Sequence, residues 1–294
     1  MTRTALPFRS RLRRAVSAAT ALVVAVGLGT AACTKSPSTA TTYRAATSAS
    51  ASIALSTSPP SAGPADDSAA ARLRALADRL APAPGDTHTG DYTYIHTQMW
   101  ARSSRKVARI DTRTWRHANG SGVIITRTLP ERDNLLRLPD GKDRDQFTSA
   151  KPATDTYAAG QLAPDLREPI TTDPTTLAAQ LYINQPKENG PVSLLRGLLD
   201  LNGTHYLDRQ VRATALRLLA TIPTLRYDGP STDIAGRTAI GYSLDTGSSH
   251  EQLLIHPTTG EFLAHQETVN TSPPALFVYD LYLDRDRRTS ADPA

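Results

Sequence analysis

The spacing of apolar residues changes twice along this chain, and those two changes restrict the folds open to it. From Asp91 the spacing has a period of two, through Tyr92 to Met99, Val107 to Arg116 and Gly122 to Leu129, with Asn119-Gly120-Ser121-Gly122 as the turn between the last two. Between Thr172 and Ile222 apolar residues recur instead at steps of three and four. Period two returns in Thr224 to Tyr227, Arg237 to Leu244, Gln252 to His256, Glu261 to Val269 and Leu276 to Leu283. Strands, helices and then strands predict an α+β class: a single antiparallel sheet, possible as a curved half-barrel, split in sequence by a helical insertion that packs on it.

Within the helical stretches the caps are readable. Asp67 or Ser68 caps a first helix through Leu73, Leu76 and Leu80, stopped by Pro82 and Pro84. Thr172 or Asp173 caps a second, with Pro174 at its first position and Leu177 and Leu181 on one face. Gly190-Pro191 opens a third around Leu195, Leu198 and Leu199, closed by Asn202-Gly203. The clearest stripe runs from about His205 to Thr221 through Leu207, Val211, Ala215, Leu218 and Ile222, and its opposite, arginine-rich face is expected in water. Glu131 to Leu166 is polar and without period, which predicts a long surface excursion or mobile flap. In the last hairpin a turn at Pro257-Thr258-Thr259-Gly260 would set His256 opposite Glu261. Leu253, Ile255, Phe262 and Ala264 would then share one side, and Gln252, Leu254, Glu261, Leu263 and His265 the other.

The first 33 residues read as an address. Arg3, Arg9, Arg11, Arg13 and Arg14 precede an uncharged run from Ala15 to Thr30, followed by Ala31-Ala32-Cys33, the order of an export signal. The net charge of +5 equals these five arginines, so the rest of the chain balances and no nucleic-acid face is predicted. The apolar run has 16 residues against the roughly 20 a spanning helix needs, which favours cleavage over a retained span. Arg13-Arg14 leaves a twin-arginine route open beside the general one. Cys33 is the only cysteine, so no internal disulfide can form. Thr30-Ala31-Ala32-Cys33 resembles a bacterial lipobox, although Thr30 stands where Leu is commonest. That resemblance implies a diacylglyceryl group on the Cys33 thiol, cleavage before it, and an acylated new N-terminus. Two or three acyl chains hold a protein durably at a bilayer.

Thr34 to Ala70 is almost wholly Ser, Thr, Ala and Pro, too poor in aliphatic side chains to offset its ordering entropy. The expected organisation is a signal peptide at 1–32, a lipidated Cys33 with a disordered tether over 33–68, a single α+β domain over 69–285 and a disordered tail over 286–294.

Searches for chemistry end in spacing that does not fit. His250-Glu251 with His256 lacks the His-Glu-x-x-His step that brings two histidines to one helical face. His256 and His265 would stand roughly 13 Å apart along the ladder at 3.4 Å per residue, too far for one zinc ion. Gly120-Ser121-Gly122 lacks a nucleophile elbow. Asp140, Asp143 and Asp145 are interleaved with Lys142 and Arg144 and miss the calcium-loop spacing. No metal, cofactor or catalytic residue is expected. The aromatic residues Tyr92, Tyr94, Trp100 and Trp115 gather on the first meander, either as core or as the lining of a concave sheet that holds an acyl chain or a peptide.

Four segments carry a family resemblance: Thr172-Asp173-Pro174 with Leu177 and Leu181, Arg212 to Pro223 ending in Ala220-Thr221-Ile222-Pro223, Asp233-Ile234-Ala235-Gly236-Arg237, and the Leu253 to Glu267 hairpin. Over about residues 70 to 285 the chain resembles an actinobacterial family of membrane-anchored extracytoplasmic proteins often encoded beside sigma factors. Five lysines against 28 arginines resemble the codon bias of such organisms. The resemblance implies a sheet curved around helices, as in lipoprotein carriers and envelope-stress sensors. The leading expectation is a non-enzymatic lipoprotein on the outer side of the cell membrane that binds a hydrophobic or envelope ligand. A regulatory module acting with a membrane partner is the alternative, and an unrecognised hydrolase the third; secretion or a single membrane span are the alternative locations.

Overall fold

A computed structural model describes residues 68–292 apart from 87, 104, 105, 134–136, 165, 167, 168 and 273. The export signal, Cys33 and the tether lie outside the described residues. None of the described helices is long and apolar enough to cross a membrane.

Nine strands form one sheet. The first meander is β1 (Tyr92–Ser103), β2 (Lys106–His117), β3 (Gly122–Arg132) and β4 (Pro152–Tyr157). The second is β5 (Arg226–Thr232), β6 (Thr238–Asp245), β7 (Ser249–Ile255), β8 (Phe262–Val269) and β9 (Ala275–Arg288). Their spatial order is β4-β3-β2-β1-β9-β8-β7-β6-β5, every neighbouring pair antiparallel. Among the described residues the first and last strands join the meanders, β4 and β5 stand at the edges, and the sheet does not close. This is the α+β sheet split by a helical insertion that the periodicities predict. β9 continues three residues past the boundary expected at 285, with Arg287 donating to Thr93 and the Arg288 guanidinium 3.6 Å above the Tyr94 ring.

Among the described residues the helices are α1 (Ala69–Leu80), α2 (Gly141–Asp145), α3 (Pro174–Asn184), α4 (Val192–Thr204) and α5 (Arg209–Leu219). Ser68 caps α1 by accepting from the Ala71 amide, and Asp173 caps α3 by accepting from Thr176, with Pro174 behind it as expected. Asp208 caps α5. Asn202 and Gly203 lie inside α4 instead of closing it.

Leu73, Leu76, Leu177, Leu198 and Leu216 from the helices meet Tyr242, Leu253, Ile255, Phe262 and Tyr282 from the sheet in one apolar core. Among the described residues, none of β1 to β4 belongs to it. A second core lies on the opposite face, where Trp100, Leu254, Leu263, Tyr279 and Leu281 are covered by Phe147, Ile234 and Ala235.

Four expectations require correction. Glu131 to Leu166 is not a plain excursion: Asp140 and Asp143 form a capping box at α2, a short 3-10 turn follows, and Pro152–Tyr157 adds a strand to β3. This strand is exposed throughout Pro152–Thr156, so it has no buried side and no periodicity to read. The last hairpin makes its turn as expected, His256 donating to the Glu261 carbonyl at 2.8 Å, but Ile255 faces Phe262 while Leu254 faces Ala264. The extra residue, Leu263, is a β-bulge, and it moves His265 to the side of Leu253. A β-carbon at Gly260, where φ is +68°, would come within 2.6 Å of Leu80 Cδ1, so the turn also requires glycine. Both faces of the central strands are buried, where one dry and one mixed face is the expectation from the hairpin's residue pattern. Finally, Arg212 on the arginine-rich face of α5 is 8% exposed, buried among the segments that carry Asp86, Leu207 and Thr259. Its guanidinium donates to the Leu207 and Thr259 carbonyls and pairs with Asp86 at 3.2 Å.

Candidate functional site

The residues singled out for chemistry fall into structural roles. Gly120 adopts φ +77° in the turn between β2 and β3, with its amide bonded to the His117 carbonyl. Asp143 is buried between Arg132 and Arg137, and Asp145 pairs with Arg144, so these carboxylates are neutralised by the arginines among them. His256 accepts amide hydrogen bonds from Thr258 and Thr259 within its own turn. Among the described residues no three His, Cys, Asp or Glu side chains gather as a metal site would require. Trp100 packs edge-on against Phe147 and Tyr279, and Tyr94 lies 4.8 Å from Trp115, so the aromatic cluster fills cores on the sheet face away from α1, α3, α4 and α5.

Two polar clusters were not visible in the sequence. On that same outer face His96 Nε2 lies 2.7 Å from Asp111 Oδ2, which also accepts from Gln98 at 3.0 Å. Burial would raise the Asp111 carboxyl, but its bonds to His96 and Gln98 outweigh that and lower its pKa. The second cluster lies between α4 and the sheet. Arg196 reaches down from α4 to Glu251 at 2.6 Å and Glu267 at 2.8 Å. Glu251 also faces His265 Nε2 at 2.7 Å, and His265 Nδ1 stands 3.8 Å from Asp280, an ion-pair separation too long for a hydrogen bond. Burial alone would hold His265 neutral. Asp280 and Glu251 on its two sides outweigh it and push the pKa up to about 9, so the ring is a cation at neutral pH. Glu251 is held down by His265 and Arg196 despite its own burial, whereas burial and the Glu251 charge raise Glu267. The only signal for this cluster was four charged residues at strand positions, and the bulge at Leu263 decides which face His265 takes.

Beside this clasp the helix side of the sheet changes character. Tyr282 under the helices is opposite Thr97, Thr97 is opposite Thr112, and Thr112 is opposite Thr126, so one cross-strand row leads out of the core. The adjoining rows pair Ile95 with Thr114 and Ile124, and Met99 with Ile110 and Thr128. Ile95, Thr97, Met99 and Ile110 are buried, Thr112, Thr114, Ile124 and Thr126 half-buried, and Thr128 exposed. At one end of these rows Arg116 donates to the Thr204 carbonyl at the C-terminus of α4. The result is a β-branched surface on β2 and β3, bounded by α4. Two open depressions lie elsewhere, about 290 Å³ beside Tyr182, Leu194 and Ile222 and about 380 Å³ beside Leu225 and Arg226, with Pro223 common to both.

No family model matches the chain, and no curated protein matches it. Among solved structures, MucB in complex with MucA(peri) is 14% identical, covering 77% of this chain and 57% of that one at a TM-score of 0.28. MucB alone is 15% identical, covering 76% of this chain and 61% of the other, also at 0.28. The chain thus spans about three fifths of the length of the MucB chains it aligns with.

Proposed function

We propose that the protein is a non-enzymatic interaction module, held at the outer side of a cell membrane by lipid on Cys33, whose half-sheet of β2 and β3 receives a membrane-associated protein partner. The observation that supports this is the unequal covering of one sheet face. Helices bury the β6 to β9 half, while Thr112, Thr114, Ile124, Thr126 and Thr128 keep part of their surface beside it. A β-branched, hydroxyl-bearing surface suits another protein's side chains and backbone better than an acyl chain, which needs an enclosed apolar volume. The positions where such a volume would lie hold Trp100, Leu263, Tyr279 and Leu281 on one face and Leu253, Ile255 and Phe262 on the other. For that reason partner docking is preferred to carriage of a hydrophobic ligand.

Photocrosslinking residues placed at Thr126 and Thr128 in the native host should capture one discrete membrane-associated protein, and the same residue at Gln210 on exposed α5 surface should not. Equal capture at all three positions, or a lipid retained by the purified protein in native mass spectrometry, would contradict the reading. The anchor is tested separately: Cys33→Ser should move the protein from the membrane fraction to the soluble one, and unchanged membrane retention would remove that part of the proposal.

A further inference from the structure

The edge strand β4 carries a pairing code of its own. In the turn between β2 and β3 the His117 amide bonds to the carbonyl of Ser121, its opposite residue, at 2.9 Å. Because antiparallel pairs alternate between bonded and non-bonded positions, the even-numbered residues of β3 direct their backbone groups to β4. Ile124 opposite Asp155 and Thr126 opposite Ala153 are therefore bonded pairs. The backbone groups of Pro152, Thr154 and Thr156 consequently point away from the sheet, and Pro152, which has no N–H, occupies an outward position as an edge proline should. Among the described residues, two N–H groups and three carbonyls are left at this edge, and both faces of the strand from Pro152 to Thr156 are exposed.

We infer that β4 pairs antiparallel with β4 of a second copy of this chain, about a two-fold axis through Thr154, so that two sheets become one continuous sheet. In this register Thr154 exchanges both backbone bonds with Thr154 of the second copy. Each Thr156 N–H finds the Pro152 carbonyl across the axis. All four outward N–H groups of the two strands are used, and the missing Pro152 N–H leaves no donor unpaired. One register step to one side, Thr156 would have to bond to the Ala150 carbonyl, outside the strand; one step to the other side also uses the four N–H groups but sets Asp155 directly opposite Asp155 of the second copy, a like-charge contact.

Side-chain charge agrees with the same register. Lys151 and Asp155 lie on one face of the strand and are both exposed. Across the axis each Lys151 is diagonal to Asp155 of the other copy, a separation of about 7–8 Å between β-carbons that a lysine spans. Two symmetric ion pairs result, as an isologous contact demands. Lysine and proline on an edge also discourage indiscriminate strand addition, so this edge favours its own sequence over others. The inference does not depend on the docking face of β2 and β3, and either can fail without the other.

The test uses the full chain with Cys33→Ser, which removes the only native thiol. In the bonded pair the two Thr154 α-carbons would be about 5.5 Å apart, inside the disulfide range. Thr154→Cys should therefore form a covalent dimer under mild oxidation far faster than Thr148→Cys, an exposed position outside the strand. In sedimentation equilibrium without the added cysteine, Asp155→Lys should weaken self-association about tenfold, and the swapped double variant Lys151→Asp with Asp155→Lys should restore it. A protein that remains at the 31.6 kDa of one chain at high concentration, cross-linking no faster at 154 than at 148, or a swapped double as weak as Asp155→Lys alone would each overturn the inference.

Discussion

His265 and His205 are both buried yet titrate in opposite senses, and the difference lies in what surrounds each ring. His265 has Asp280 and Glu251 beside it and a pKa near 9; His205 is lowered to about 4 by burial and by the nearby Arg116 charge. A raised folded-state pKa means that the stabilisation is full below the unfolded value of about 6.5 and is lost as pH rises through 9. Denaturant unfolding measured from pH 6 to 10 should show stability falling on the alkaline side by an amount on the order of 3 kcal/mol, and His265→Gln should flatten that fall. An unchanged alkaline slope in the variant would assign the fall to other groups. His205 behaves conversely: its neutral ring is favoured in the fold, so its contribution is present above about 6.5 and is lost as pH falls toward 4. His205→Gln should reduce the destabilisation between pH 6.5 and 4 without altering the alkaline limb. Neither role could be read from the sequence, because the sign of each shift depends on partners 14 or more residues distant, as Glu251 is from His265.

At the scale of elements, local signals were legible and the consequences of packing were not. Ser68 and Asp173 cap helices through bonds spanning three residues, which a sequence displays directly, whereas α5, capped by Asp208, begins at Arg209, four residues after the start at His205 read from the stripe. The Asp233-Ile234-Ala235-Gly236-Arg237 motif is equally local: the Asp233 carboxylate accepts from the Ala235 and Arg237 amides and closes the turn between β5 and β6. By contrast, the stripe on α5 correctly marked Val211, Ala215 and Leu218 as buried but could not show that α1 lies along the other side. Arg212 and Leu218 should therefore both matter. Leu218→Ala is expected to cost about 2 to 5 kcal/mol through lost burial and a residual cavity. Arg212→Ala should cost more than about 2 kcal/mol, since it strands two carbonyls and takes one of two arginines from the buried Asp86 carboxylate, which keeps Tyr206 and Arg209. Gln210→Ala, at an exposed position on the same helix, should stay within about 0.5 kcal/mol. Equal, mild effects at 212 and 210 in chemical denaturation would show the guanidinium to be dispensable. β4 escaped detection for a related reason: with both faces exposed, its sequence carries no alternation for burial to impose.

For the whole molecule, the decisive feature is that the two ends of the folded chain meet in one sheet. β1 beside β9 makes a single nine-stranded surface, and the helical insertion between the two meanders is long enough to cover only part of it. Sequence periodicity gives the split sheet, but not which half the helices cover, since coverage depends on how the insertion returns from β4 to β5. The β2 and β3 surface and its boundary at α4 follow from that geometry, and partner docking there is checked by hydrogen–deuterium exchange, comparing the isolated protein with the complex recovered by crosslinking at Thr128. Exchange should slow across β2 and β3, with α1 and α5 unchanged. Protection confined to the helices or to the depressions around Pro223, with β2 and β3 exchanging as in the isolated protein, would contradict docking there.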